Sequence, residues 1–323
     1  MSKRVKLIVS ISCAVVFATV FVLATFFDYQ ISQALADLTE GKYLSDNWFG
    51  KVFETFGETP FYFAGAFAAA ILTRVSLKFK EGWYKTPLTC IFIILGVFAY
   101  TVMTNRVVEY MFEHAHALDS FEKYNALINL GCVIISVGLF TATLFITLKI
   151  NEKHMSKLLA FAIAIILAMA IAQIFVQIVK VFMGRQRFRM IKVLEYEGCL
   201  EQVDFTKWFV INGKRSVSED LQLLGIAKDG YKSFPSGHTC SWSIIYVFAF
   251  IPDFLDIEEK TRVRAKALLL TGATVSTLLL GYSRILVGAH YATDVLFSAG
   301  WTFFSVVISM VIAKKIFKKS FKS

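Results

Sequence analysis

Charge is scarce in this chain of 323 residues: 18% of positions are Asp, Glu, Lys or Arg, against 56% hydrophobic and 15% aromatic. A soluble domain carries about 25% charge, so this much apolar surface needs lipid as its solvent. Cysteine is sparse too. Cys13, Cys90, Cys132, Cys199 and Cys240 are odd in number, form no C-x-x-C pair, and three of them lie inside apolar runs. Neither a disulfide framework nor a zinc centre is expected, although a Cys199–Cys240 bridge stays open on spacing. Of the five histidines, His114 and His116 fall in an exterior stretch and read as solvated side chains, not metal ligands. Internal repeats and low-complexity tracts are absent, which excludes solenoids and disordered arrays.

Long apolar runs are what the chain has instead. A bilayer core takes about 20 apolar residues of helix. Residues 7–27, 88–104, 126–148, 158–179 and 293–313 are clear runs of this kind. Residues 60–76, 235–251 and 267–282 are shorter or more polar, but their ends suit an interface. The fold class expected is all-α: a polytopic transmembrane bundle of about eight spans. The four prolines agree, since Pro60, Pro87 and Pro235 start spans and Pro252 ends one. Proline fits a first helical turn and breaks a helix interior. Ala34-Leu35-Ala36 resembles a signal cleavage site, but the apolar run before it exceeds the ~7–15 residues of a signal core, so an anchor is expected.

The net charge of +10 matters less than its distribution. With the N-terminus inside, inner segments hold Lys3, Arg4 and Lys6; Arg74, Lys78, Lys80 and Lys85; Lys149, Lys153 and Lys157; Lys260, Arg262, Arg264 and Lys266; and Lys314, Lys315, Lys318, Lys319 and Lys322. Outer segments 28–59 and 105–125 hold only Lys42, Lys51, Arg106 and Lys123 among many acids. By the positive-inside rule both termini are expected in the cytoplasm, in a bacterial plasma membrane. The same pattern accounts for the basic balance without a nucleic-acid partner.

Residues 1–150 are expected to form an N-terminal transmembrane region of four spans, and 151–323 a second region of four. Within the first, residues 45–57 read as an exterior amphipathic helix. Trp48, Phe49, Val52, Phe53 and Phe56 share one face, Ser45 or Asp46 caps the start and Gly57 the end. Exterior loop 184–234 mixes Glu195, Glu197, Glu201 and Asp204 with Arg189, Lys192, Lys207 and Lys214, and is expected to cover the ground above the later spans.

Three segments carry chemistry. Following the fifth span, Gln173, Gln177, Lys180, Gly184 and Arg187 are spaced to form one stripe of a helix face. Glutamines inside a membrane are costly and face a cavity or a partner. Next comes Pro235-Ser236-Gly237-His238; proline opens a helix, and the first turn presents unpaired N–H groups that suit an anion. Third is Ser283-Arg284 followed by His290 and Asp294, four apart, so that one helical turn brings carboxylate to imidazole. A carboxylate on one ring nitrogen leaves the other as base or nucleophile. Each segment alone is weak. Together they place Lys180, Arg187, Arg284, two histidines, a hydroxyl and a helix start on one membrane face, a set that suits a phosphoryl group.

These residues resemble the type 2 phosphatidate phosphatase family, the membrane-bound branch of a group that shares its site with vanadium haloperoxidases. The family pattern is K-x6-R-P, then P-S-G-H, then S-R-x5-H-x3-D, matched here by Lys180 with Arg187, by Pro235 to His238, and by Ser283-Arg284 with His290 and Asp294. The resemblance covers roughly residues 160–315. Phe188 departs from it, standing where the family usually has proline. The resemblance implies a six-helix phosphatase core, two additional spans somewhere among residues 1–148, and no metal or other cofactor. It implies that His290 attacks phosphorus and becomes phosphohistidine, with Asp294 orienting it. His238 protonates the leaving oxygen and then activates water, while Lys180, Arg187, Arg284, Ser236 and Gly237 hold the oxyanion. Arg185 is adjacent and receives at most a supporting part.

The expected activity is hydrolysis of a lipid phosphate or diphosphate, such as undecaprenyl diphosphate, phosphatidylglycerol phosphate or phosphatidate, with the site facing outside. The partners expected are that lipid substrate and the surrounding membrane lipids. A phosphotransferase would use the same histidine with an alcohol acceptor, and a haloperoxidase would use the same residues without spans. A transporter or lipid-binding protein with a degenerate site is the reading from a different class.

Overall fold

A computed structural model describes residues 3–80 and 82–318. Among the described residues all regular structure is helical. The α-helices in chain order are α1 (Lys3–Leu35), α2 (Trp48–Phe56), α3 (Thr59–Leu77), α4 (Lys85–His114), α5 (Leu118–Lys123), α6 (Asn125–Lys149), α7 (Met155–Met183), α8 (Phe188–Tyr196), α9 (Glu219–Leu223), α10 (Gly237–Ser243), α11 (Glu259–Leu286) and α12 (Ala292–Ile316). Among the described residues, seven stretches are long and apolar enough to cross a membrane: Ile11–Leu35, Trp48–Leu77, Lys85–His114, Asn125–Lys149, Glu152–Tyr196, Glu259–Leu286 and Ala292–Ile316. Large apolar side chains such as Val15, Val16, Ile94, Leu127, Ile134 and Phe145 are exposed on these helices. Water would penalise that arrangement and lipid does not. The chain is a polytopic helical bundle of the membrane.

Of the eight spans expected, residues 235–251 are the one that does not form a long α-helix. α10 ends at Ser243 and the chain continues to Phe254 as a 3-10 helix containing Pro252, a residue that cannot supply an interior amide. The 3-10 form is stretched, rising about 2.0 Å per residue against about 1.5 Å, so the two pieces together cover roughly 32 Å. That is close to the hydrocarbon thickness of about 30 Å.

Two compact units share the chain: Met1–Gly50, Val176–Gly237 and Gly281–Ala299 form one, and Lys51–Phe175, His238–Leu280 and Gly300–Ser323 the other. In the second unit, the expected inner segments gather at one end. Arg74 donates to the carbonyls of Thr147 and Ile150, Lys78 pairs with Glu152, Lys157 and His154 with Asp256, and Lys266 and Lys314 with Asp253 at 2.8 and 2.9 Å. At the opposite end, Asn105 bonds Asn129, and the Tyr110 hydroxyl lies 3.3 Å from His238 Nε2. Gly237–Phe254 thus runs from the end holding His238 to the end holding Asp253. Ala66, Ala69 and Ala70 of α3 let Tyr100 and Phe140 pack closely, and Tyr100 bonds Thr143 at 2.7 Å. Lys319 and Lys322, counted with the inner cations, lie outside the described residues.

In the first unit, α1 kinks at Phe27, where the apolar run ends, and continues to Leu35. Asn47, and neither Ser45 nor Asp46, caps α2: its Oδ1 accepts from the Gly50 N–H at 3.1 Å, while the Ser45 hydroxyl is committed to the Asp37 carbonyl at 2.7 Å. Residues 184–234 are more ordered than a loop. They contain α8, α9 and a small core in which Met190, Val193, Leu194, Val217, Leu221, Ile226 and Tyr231 bury themselves with Tyr43. All five cysteines are free.

Candidate active site

The first motif begins on a helix and finishes off it. α7 ends at Met183 and Gly184 takes φ +53, a left-handed conformation that stops a helix and favours glycine. The expected stripe is therefore shorter than its spacing suggests, because Gly184 and Arg187 lie beyond the helix. Arg187 is extended (φ −74, ψ 146) and its N–H is fixed on the Gly230 carbonyl at 2.8 Å. Phe188 follows as the first residue of α8, a position where the amide has no helical partner and proline is favoured. Phenylalanine keeps that start and fills an aromatic cluster with Tyr29 and Tyr291.

The third motif is also built at a helix boundary. α11 ends at Leu286, Gly288 turns the chain at φ +61, and α12 begins at Ala292. His290 and Asp294 thus straddle a helix start instead of sharing one turn. Asp294, third residue of α12, reaches back to accept the Tyr291 N–H at 2.9 Å, half of a capping box. The same Oδ2 accepts the Ser233 hydroxyl at 2.6 Å, and Oδ1 accepts Arg185 Nη1 at 2.5 Å. The expected direct His290–Asp294 bond is corrected here: the two stand 3.8 Å apart, and His290 Nδ1 lies 2.5 Å from the Ser233 carbonyl oxygen. A carbonyl only accepts, so Nδ1 carries the proton and Nε2 carries the lone pair.

Pro235 does not open a helix as expected. Its peptide bond to Phe234 is cis and α10 begins at Gly237, with Ser236 just before it. Ser236 is buried, and its N–H is held on the Asp294 carbonyl at 3.3 Å. Lys180 Nζ approaches Gly237 so closely that a Cβ there would stand 3.1 Å from it and press the ammonium back by a few tenths of an ångström.

Electrostatics in this unit converge on His290, which is 1% exposed. Burial, then the charges of Arg187, Lys180 and Arg284, push its pKa well below the ordinary histidine value, against the pull of the Ser233 hydrogen bond. The imidazole is neutral near pH 7. Arg187 is itself paired with Asp229 at 2.8 Å, and Asp229 accepts the Tyr43 hydroxyl at 2.9 Å. Burial opposes ionisation of Asp229, but Arg187 and Arg189 outweigh it and hold the carboxyl well below its usual range.

The first unit thus holds Lys180, Arg187, Ser236, Gly237, Arg284, His290 and Asp294. His238 belongs to the second, where Tyr110 and Gly57 adjoin it. His114, expected to be solvated, lies 3.8 Å from Glu54 in that unit. Sequence reading underrated Arg185 and missed Asp28, Ser233 and Asp229. Arg185 is buried and bonds Asp28 and Asp294 together. Asp28 did carry a signal: an acid at the end of an apolar run is expensive unless paired.

A buried histidine under the charges of Arg187, Lys180 and Arg284, in a helical membrane protein, suits an oxyanion. Residues 161–318 match the PAP2 superfamily, and this segment of the chain belongs to it. Members of that superfamily are phosphatases, which supports a phosphoester hydrolase. No curated protein and no solved structure matches the chain.

Proposed function

We propose that the protein removes phosphate from a lipid phosphate or diphosphate through a phosphohistidine at His290, without a metal. The observation that carries this reading is the Ser233 carbonyl on His290 Nδ1, which leaves Nε2 as an unprotonated nucleophile among Lys180, Arg187 and Arg284. Nε2 attacks phosphorus, the leaving oxygen takes a proton, and water then cleaves the N–P bond to release phosphate. The three cations, the Ser236 hydroxyl and the Gly237 N–H neutralise charge on the phosphoryl oxygens. Arg187 keeps its Nε buried and without a hydrogen-bond partner among the described residues, a donor available to an oxyanion. His238 follows Gly237 directly in the chain, and the motif assigns it the proton transfers. A lipid substrate suits groups carried at the ends of membrane-crossing helices.

Purified protein in detergent should release phosphate from long-chain lipid phosphates far faster than from soluble esters, in EDTA as in magnesium. Acid-labile phosphate should appear on His290 after an early quench, and His290→Ala should abolish both signals. Equal rates on a soluble ester and its lipid analogue would overturn the lipid assignment, and loss of activity in EDTA the metal-free one.

The orientation proposed puts both termini in the cytoplasm and the site outside. The gathering of Arg74, Lys78, Lys157, Lys266 and Lys314 at one end of the second unit supports it. An impermeant thiol reagent should label a cysteine placed at Lys207 in intact cells, and one at Lys153 only after permeabilisation; the reverse pattern would invert the topology.

A further inference from the structure

Asp28 is an acid on α1, outside the segment shared with the superfamily. Its carboxylate accepts Arg185 Nη2 at 2.8 Å, the Thr293 N–H at 3.0 Å and the Thr293 hydroxyl. Thr293 is the second residue of α12, so Asp28 satisfies an amide that a helix start leaves unpaired. Arg185 spans two carboxylates, with Nη2 on Asp28 and Nη1 on Asp294; its Nε donates to the Thr206 carbonyl at 2.8 Å, and its guanidinium lies 4.0 Å from the Tyr291 ring centre. Asp28, Arg185 and Asp294 are 3%, 1% and 0% exposed, so bulk solvent screens these charges little.

We propose that Asp28 is a positioning residue of the phosphatase site, acting through Arg185 on Asp294 and through Asp294 on His290. This rests on the reading of His290 as nucleophile. The guanidinium is a rigid fork. With Asp28 holding one prong, Arg185 meets Asp294 with the other alone. Asp294 Oδ2 then stays with the Ser233 hydroxyl and the Tyr291 N–H, 3.8 Å from the imidazole. Positive charge grows on the His290 ring as Nε2 forms its bond to phosphorus. Facing that ring are the cations Lys180, Arg187 and Arg284 and the carboxylate Asp294; Asp229 is bound to Arg187, and Arg185 and Asp28 stand behind Asp294. Without the Asp28 charge, Arg185 closes further on Asp294, and less negative potential reaches the ring.

Asp28→Asn keeps the size and an acceptor for the Thr293 amide while removing the charge. The expected result is a fall in kcat of about tenfold with KM changed less than about twofold, the pattern of an interaction made in the transition state. The acid limb of kcat, which reports the His290 proton, should move to lower pH, because loss of a negative charge disfavours the imidazolium. NMR titration of the labelled His290 ring in detergent should show the same shift and needs no turnover. Asp28→Glu, which restores the charge, should return the limb toward its original position. Thr25→Val is the structural control: it removes the Trp208 Nε1 bond from the same helix and should cost stability without moving the limb. If Asp28→Asn loses only stability, as Thr25→Val does, the proposal is overturned. Should Asp28→Asn not fold, Arg185→Lys, which keeps the charge without the fork, must lower kcat and move the His290 titration; an unmoved titration overturns it equally. A wild type that releases no phosphate would sink the functional reading and leave the ring titration still able to decide this one.

Discussion

His290 donates its Nδ1–H to the Ser233 carbonyl oxygen at 2.5 Å, while Asp294 stands 3.8 Å from the same nitrogen. A backbone carbonyl therefore sets the tautomer, and Asp294 acts by its charge and by the Ser233 hydroxyl it receives. The division has consequences that mutation can separate.

Asp294→Asn is expected to lower kcat by about a hundredfold or more, since it removes the carboxylate that faces the ring as it becomes charged. Ser233→Ala keeps the carbonyl on Nδ1 and deletes only the hydroxyl on Asp294, so its effect should be about tenfold. Single-turnover phosphorylation of purified variants measures both. Equal losses would mean that the hydroxyl, not the charge, carries the effect.

The pH dependence follows from His290. Its folded pKa lies well below the unfolded value of 6.5, so the neutral nucleophile persists as pH falls through 6.5. The acid limb of kcat that reports this group should lie clearly below pH 6.5. Stability should move the other way: the unfolded chain binds the proton first, so unfolding becomes easier as pH falls from about 6.5 toward the folded pKa. A profile whose lower limb sits at an ordinary histidine value would contradict a buried imidazole among cations.

Asp229 neutralises Arg187 and Arg189, both buried. Asp229→Asn leaves those charges uncompensated. A fully buried pair broken this way costs about 3–5 kcal/mol, but the Asp229 side chain is 41% exposed, so a loss of about 1–2 kcal/mol is expected. Because its folded pKa is depressed, this stabilisation is complete above the usual aspartate range and is lost as pH falls through the folded pKa. Denaturant unfolding at neutral and acid pH should show the two proteins converging at low pH.

Gly57 adjoins His238 so closely that an added Cβ would stand 2.5 Å from His238 Cδ2 and 2.7 Å from the Phe53 carbonyl. The carbonyl belongs to the backbone, so the turn at Gly57 must shift, and the imidazole against it must move as well. Gly57→Ala should cut kcat by about tenfold or more in a folded protein, as small displacements of reacting groups do. Tyr110→Phe, which removes the hydroxyl 3.3 Å from His238 Nε2, should shift the pH profile with a smaller loss. Normal turnover in Gly57→Ala would separate His238 from the chemistry.

Much of this protein was legible as pattern. Apolar run length marks spans because helix rise and bilayer thickness are fixed, and Arg74, Lys78, Lys157, Lys266 and Lys314, all expected inside, share one end of the second unit. What misled was local backbone. Pro235 suggested a helix start, the 4,3 spacing suggested that Arg187 stayed on α7, and the interval of four between His290 and Asp294 suggested one turn. In each case the local backbone intervened: the helix after Pro235 starts only at Gly237, and left-handed turns stand at Gly184 and Gly288.

By itself the sequence determined the membrane class, the positions of most spans and the residue types of the candidate site, since these depend on composition and on short intervals along the chain. Only the tertiary structure decided that Ser233 holds the His290 tautomer, that Arg185 ties Asp28 to Asp294, and that Asp229 sits on Arg187. Those partners lie 57, 157 and 109, and about 42 residues apart in the chain. No periodicity links such distant positions; they meet because a buried charge must find a counter-charge wherever the packed helices bring one.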